Sequence, residues 1–193
     1  MEISQTDTTL LRLEKTSKSA DNLTSKEFDE IFDLYYKRVY KYICYRIDDR
    51  NMAEDLCSQV FERVIYKYHT FLPEKSSLEV WLFAIARNIV TDYHRSSKSR
   101  YLLPLDSIFD MISPNSTPDE KMIKQDTNEK LLAAIRKLSE KERNIVAMKY
   151  AAGLKNSEIA ALLDISDSNV GVVLYRSLKK LQKHLDLGGY KRD

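Results

Sequence analysis

Helix-breaking residues are scarce in this chain: 193 positions hold only four glycines and four prolines. Strand signals are equally thin, and a composition of 43% hydrophobic and 31% charged residues suits packed helices with wet, charged outer faces. Cysteine is nearly absent. Cys44 and Cys57 stand in separate helical patterns with no Cys/His ligand spacing around them, which argues against a disulfide framework and a metal site and leaves two structural thiols. No apolar run approaches the length of a bilayer span, and Met1 leads into a polar, Ser/Thr-rich stretch, not a charged and then apolar leader. The expected place is therefore the cytoplasm, with no part embedded in a membrane. Nor does one sign of charge dominate: 31 basic against 29 acidic residues leave +2, so their distribution must decide whether nucleic acid is a partner.

What the chain does have is helical periodicity. Residues 1–25 read as a mobile polar tail. Thr24 and Glu27 then form a capping-box pattern, followed at helical spacing by Phe28, Ile31, Phe32, Tyr35, Val39, Tyr42 and Ile43. After the polar break at 48–51, a second helix buries Ala53, Leu56, Val60, Phe61, Val64, Ile65 and Tyr68. Pro73 interrupts the period, and Ser76 with Glu79 predicts a capping box for a third helix whose inner side carries Leu78, Trp81, Leu82, Ile85, Ile89 and Tyr93. Three such stripes can be buried only against one another, which predicts a compact bundle over 26–95. Periodicity fades over 96–117, a linker with aliphatic residues. Thr117, Pro118, Asp119 and Glu120 supply an N-cap, a proline at the first helical position and acids in the first turn, opening a second domain over 118–187. Its core is expected at Leu131, Ile135, Leu138, Ile145, Val146 and Met148, with a capping box from Ser139 to Glu142 and Gly153 ending a helix. Residues 188–193 are a short tail.

The stretch 154–166 reads as a short helix, a tight turn at Asp164 and a capping Ser166, and Val170, Leu174, Leu178, Leu181 and Leu185 line the next helix. Together these are the parts of a helix-turn-helix. In that motif the start of the second helix enters the major groove, which brings Asp167, Ser168, Asn169, Val172 and Tyr175 nearest base edges. Arg176, Lys179, Lys180 and Lys183 follow without an intervening acid on that helix, a run suited to phosphates. Read alone, the same run is equally a solvated face that complements the helix dipole.

Ala53-Glu54-Asp55-Leu56, Val60-Phe61-Glu62-Arg63-Val64, the stretch Trp81 to Asn88, then Asp92 and Arg95 stand in order in the first half. Leu138, Arg143, Tyr150, Glu158-Ile159-Ala160, Ile165-Ser166, Val170 and Arg176 do so in the second. In this order and spacing the chain resembles the extracytoplasmic-function (ECF) sigma factors of the sigma-70 superfamily over nearly all of 26–186. The resemblance implies an all-α protein of two small helical domains, a sigma-2 bundle and a sigma-4 helix-turn-helix, joined by an extended linker. It implies binding to core RNA polymerase, through the clamp helices of the largest subunit and the flap, and to promoter DNA, recognition of −10 and −35 elements, DNA melting, and a separate anti-sigma factor.

By position, the resemblance assigns Asp55, Gln59 and Glu62, with edge contact from Val60 and Phe61, to core polymerase. It assigns Arg87, Asn88, Thr91, Asp92 and Arg95 to the −10 element, with Phe71, whose ring either packs in the core or stacks on the base, in a loop where relatives capture a flipped-out base. It assigns Ser168, Asn169, Val172, Tyr175, Arg176, Lys179 and Lys180 to the −35 element. No catalytic constellation, cofactor or metal is expected: His69, His94 and His184 fall in different segments and no Gly-rich phosphate loop is present. This chain departs from the family pattern at Lys155, where a capping Ser or Thr is usual, at Asp164, where glycine is usual, and at Gly171-Val172-Val173, where relatives are more polar or basic.

Overall fold

The computed structural model describes residues 23–96 and 129–187. The expectations for the tail before residue 23, the linker beyond Ser96, the start of domain two around Pro118 and the C-terminal tail fall outside them. Every regular element among the described residues is helical, as composition required: α1 Ser25–Cys44, α2 Arg50–Lys67, a single 3-10 turn Tyr68–Thr70, and α3 Leu78–Ser96. The second half comprises helical residues 129–136 (α4), α5 Glu140–Val146 running on into a π-helical stretch Ala147–Ala151, α6 Asn156–Leu163 and α7 Asp167–Leu187.

Local chemistry sets most helix starts. Thr24 Oγ1 accepts from the Glu27 N–H while Glu27 accepts from the Thr24 N–H, the reciprocal box that satisfies two orphan donors, and Ser139 with Glu142 repeats it at α5. The cap of α3 is Ser77 and not Ser76: Ser77 Oγ accepts from the Val80 N–H at 3.3 Å. Glu79 is thereby free of capping and pairs with Arg38 of α1. α1, α2 and α3 pack around Ile31, Tyr35, Val39, Leu56, Val60, Leu78, Leu82 and Val90, all buried. Ile65, expected inside α2, is 49% exposed, because the chain tightens at its end and Tyr68 takes the inner place. Trp81 is half-buried, packed edge-on against Tyr68.

The two halves touch through a polar seam. The Tyr42 hydroxyl donates to Asn144 Oδ1 at 3.0 Å, and Arg46, 3% exposed, donates to the same oxygen and lies 3.6 Å from Glu140. Asp48 pairs with Arg136 at 2.9 Å. Arg38 donates to the carbonyl of Ala152, beside Gly153, whose φ of +78° belongs to the left-handed region that glycine tolerates. A Cβ there would stand 3.0 Å from the Arg38 guanidinium, so a second reason favours glycine. His94 of α3 closes the seam: burial, with Arg46 and Arg143 adding repulsion, holds its imidazole below the usual range, partly offset by Glu140 and Asp48.

Candidate nucleic-acid interface

Between α6 and α7 the chain turns through Asp164, the single non-glycine residue with positive φ among the described residues (φ 52°, ψ 52°). Aspartate tolerates this conformation better than most residues, so the departure from glycine leaves the turn intact. Ser166 Oγ then accepts from the Asn169 N–H at 3.2 Å and starts α7. Lys155 supplies no acceptor to cap α6, and Glu158 compensates by accepting the Lys155 N–H at 2.7 Å. Val170, Leu174 and Leu181 are buried against the rest of the domain. Leu178, expected among them, is 43% exposed, because Ser177 occupies that inner place and bonds back to the Val173 carbonyl at 2.8 Å.

The opposite side of α7 faces outward. Asp167, Ser168, Asn169, Val172, Tyr175, Arg176 and Lys179 are all exposed, with Lys179 Nζ 4.7 Å from the Tyr175 ring. Lys180 differs from its neighbours: its ammonium lies 2.6 Å from Glu142, whose carboxyl it holds below the usual range together with the Ser139 cap. A cation expected to be free for phosphate is engaged by a residue 38 positions earlier, on another helix.

On α3, Arg87, Asn88, Thr91, Asp92 and Arg95 share one side, and Thr91 spends its hydroxyl on the Arg87 carbonyl at 2.8 Å. This side forms one wall of a cleft of about 390 Å³ whose other wall carries Arg63 and Lys67 of α2. Sequence reasoning passed over these two cations. Their one-turn spacing was visible, but that they face Arg87 depends on how α2 packs on α3. Asp92 and Arg95 form an exposed pair at 3.7 Å. Phe71, expected either to pack in the core or to stack on a base, packs in the core: it is 3% exposed, 5.5 Å from Trp81 and 6.1 Å from Tyr68, and is not available for stacking. Its ring is needed to close the end of the bundle.

Asp55, Gln59 and Glu62 lie exposed along α2, and Tyr66, 76% exposed, extends the same line by another turn. Tyr66 is a surface aromatic that the acidic pattern alone did not bring into the group. Val60 and Phe61, expected to lend edge contact there, are 0% and 3% exposed; Phe61 packs 4.8 Å from Phe32 and edge-on to Phe28. Both hold α1 to α2 and leave the outer surface to their polar neighbours.

Two helical modules, the second ending in a helix-turn-helix with exposed Ser168 and Asn169 leading an exposed basic run, define a DNA-binding protein of the helix-turn-helix class. The family described as sigma-70 region 2 matches residues 31–100, and that described as sigma-70, region 4 matches 128–181. The chain is 30% identical over 164 residues to the ECF RNA polymerase sigma factor SigX of Bacillus subtilis, covering 83% of this chain and 84% of that one. It is 29% identical over 158 residues to the ECF RNA polymerase sigma factor BldN of Streptomyces coelicolor, covering 82% of this chain and 60% of the longer relative. Its fold is similar to that of CnrH, solved in complex with the cytosolic domain of CnrY (TM-score 0.66, 17% identity, 93% of this chain and 98% of that one). It is also similar to RpoE solved with the anti-sigma factor NepR from Bartonella quintana (TM-score 0.65, 19% identity, 83% and 98%). The chain belongs to the ECF RNA polymerase sigma factors, transcription-initiation factors that recognise promoters together with RNA polymerase.

Proposed function

We propose that this chain binds core polymerase through the exposed line Asp55, Gln59, Glu62 and Tyr66, engages the −10 element through the α3 side bearing Arg87 and Asn88, and engages the −35 element through α7. In this reading 26–95 is the polymerase and −10 module, 118–187 the −35 module, and 96–117 the connection. The observation that carries it is the placement of two separate polar surfaces on two packed modules, with the polar and basic groups of each outside the cores. Arg176 and Lys179 hold phosphates, Ser168 and Asn169 meet base edges, and Val172 offers an apolar contact suited to a thymine methyl.

Synthesis belongs to the polymerase, and the chain contributes binding and melting without catalysis of its own. It works where polymerase works, in the cytoplasm; no helix among the described residues is long and apolar enough to cross a membrane. The relatives solved with CnrY and NepR support an anti-sigma factor as a further partner. Assembly of purified chain with core polymerase, followed by transcription from a cognate promoter, tests the reading. Core-dependent initiation is expected. Failure to bind core, or binding of duplex DNA alone as a dimer, would instead make the chain an ordinary helix-turn-helix regulator.

A further inference from the structure

Recognition by α7 depends on how that helix is set, and most of what sets it is not directional. Val170, Leu174 and Leu181 bury its inner side, and apolar contacts of this kind resist separation more than a small slide or roll. Ser177, also buried, donates to the Val173 carbonyl of the same helix. At its start α7 is fixed by the turn at Asp164 and the Ser166 cap. Further along, one side-chain hydrogen bond ties it to another helix among the described residues: Lys180 Nζ donates to Glu142 Oε1 of α5 at 2.6 Å.

Lys180 is placed for a different partner. It follows Arg176 by four residues, so the two lie on one line of the helix, with Lys179 beside them. Arg176 and Lys179 stay outward, whereas Lys180 turns to α5. The carboxylate that draws it is itself anchored. Glu142 Oε2 accepts from the Ser139 N–H at 3.0 Å and from the Ser139 hydroxyl at 2.9 Å, which leaves Oε1 for Lys180. One side chain thus closes the cap of α5 with one oxygen and holds α7 with the other.

Stability does not account for the pair. Lys180 is 54% exposed, and an ion pair with an exposed ammonium adds little to folding. Its place along the helix matters more. About 21 Å of helix separates Ser166 from Lys180 at about 1.5 Å per residue, and Ser168, Asn169, Val172, Tyr175, Arg176 and Lys179 all lie between these two fixed points.

We infer that Glu142 is a positioning residue for promoter recognition: by holding Lys180 it sets α7 against α5 and keeps one cation of the basic run off the phosphates. The inference rests on α7 being the −35 surface and names a residue outside that helix on which its selectivity depends. Removing the charge of Glu142 frees Lys180 for any phosphate, so the variant gains sequence-independent affinity and loses discrimination.

The test titrates holoenzyme, assembled from core and full chain, at several salt concentrations with duplex DNA carrying a cognate −35 element and with the same duplex scrambled at that element. Glu142→Gln keeps an oxygen for the Ser139 N–H and loses the charge. A free lysine adds about 0.9 to the salt slope and a held one less than half of that, so the slope should rise by about 0.5 or more. Between 50 and 200 mM salt that is an extra loss of affinity of about twofold or more. The ratio of cognate to scrambled affinity should fall severalfold. An unchanged slope overturns the inference, and so does a steeper slope with the ratio unchanged. In a Lys180→Met background, Glu142→Gln should move the slope no further; a further shift overturns the route through Lys180. Ser139→Ala removes the cap and leaves the pair, and should lower the melting temperature with slope and ratio intact. If it moves them as Glu142→Gln does, Glu142 acts only as a cap and the inference falls. Arg176→Ala with Lys179→Ala is the second arm. If that variant binds both duplexes as the unaltered chain does, the −35 reading of α7 fails. If it loses binding while Glu142→Gln changes nothing, the −35 reading stands and the inference fails.

Discussion

The hydroxyl of Tyr42 donates to Oδ1 of Asn144 at 3.0 Å, joining the first helix of one module to the fifth helix of the fold across 102 positions of sequence. The same oxygen accepts from Arg46, so one amide satisfies two buried donors. Asn144→Ala should leave both without that acceptor and weaken the contact between modules by about 1–3 kcal/mol, whereas Tyr42→Phe should weaken it by about 1 kcal/mol. Small-angle scattering of the free chain checks this: the radius of gyration should rise in the order unaltered, Tyr42→Phe, Asn144→Ala.

Acid should loosen the same seam. His94 faces Arg46 and Asp48 of the first module and Glu140 and Arg143 of the second, and its proton affinity is lowered below the ordinary imidazole value of 6.5, chiefly by burial. A base with a depressed folded pKa contributes stability that is fully present above its unfolded value and erodes as pH falls below it, since the separated form takes up the proton first. The chain should therefore expand as pH drops from about 6.5, and His94→Gln should flatten that dependence. An expansion profile identical in the variant would assign the effect elsewhere.

Gly171 sits inside α7 with nothing within 4 Å of where a Cβ would stand and without a positive φ. Gly171→Ala should stabilise the helix by up to about 1 kcal/mol and raise the melting temperature by a few degrees. A lower melting temperature would contradict it. If DNA approaches this backbone closely, the same variant will melt higher and bind the −35 element less well.

Arg176 and Lys179 are exposed and have no carboxylate partner among the described residues, while Lys180 is held by Glu142 at 2.6 Å. Replacing Arg176 or Lys179 by Ala in holoenzyme should lower the salt slope on −35 duplex DNA by about 0.9 each, and Lys180→Ala should lower it by less than half as much. Equal effects at all three positions would show that the Glu142 pair opens on DNA.

Burial pushes the Cys44 thiol up to about 11 and the Cys57 thiol up to about 12. Both should resist alkylation at pH 8 in the folded chain and react together on unfolding, since the thiolate is the reactive form. Rapid labelling of either without denaturant would place it at the surface.

What could be read from the sequence was local. The boxes at Thr24 and Ser139 and the turn at Asp164 each depend on residues within three or four positions, and they formed as their spacing required. The helix start at Ser77 was misjudged by one residue because Glu79, the partner that a box at Ser76 needs, is drawn to Arg38 forty-one positions away. Periodicity marked Phe71 as apolar but could not tell a ring that closes the bundle from one that waits for a base. The outer side of α7 was legible because the motif fixes which residues lead its helix. Glu142 neutralising Lys180 was not, because that pair joins two helices whose packing no local pattern encodes.

The polar seam also sets a scale for affinity. The −10 and −35 positions lie about 25 base pairs apart, some 85 Å along B-DNA, while a compact chain of this length has a radius of gyration of roughly 16 Å. On the proposed assignment of one module to each element, modules bonded as Tyr42 and Asn144 are would not reach both at once, and only the separated fraction of molecules would be competent. The apparent dissociation constant is the intrinsic one divided by that fraction. A seam that keeps about 99 molecules in 100 closed weakens apparent binding about a hundredfold, and a substitution that loosens it tightens promoter engagement without adding a contact to DNA.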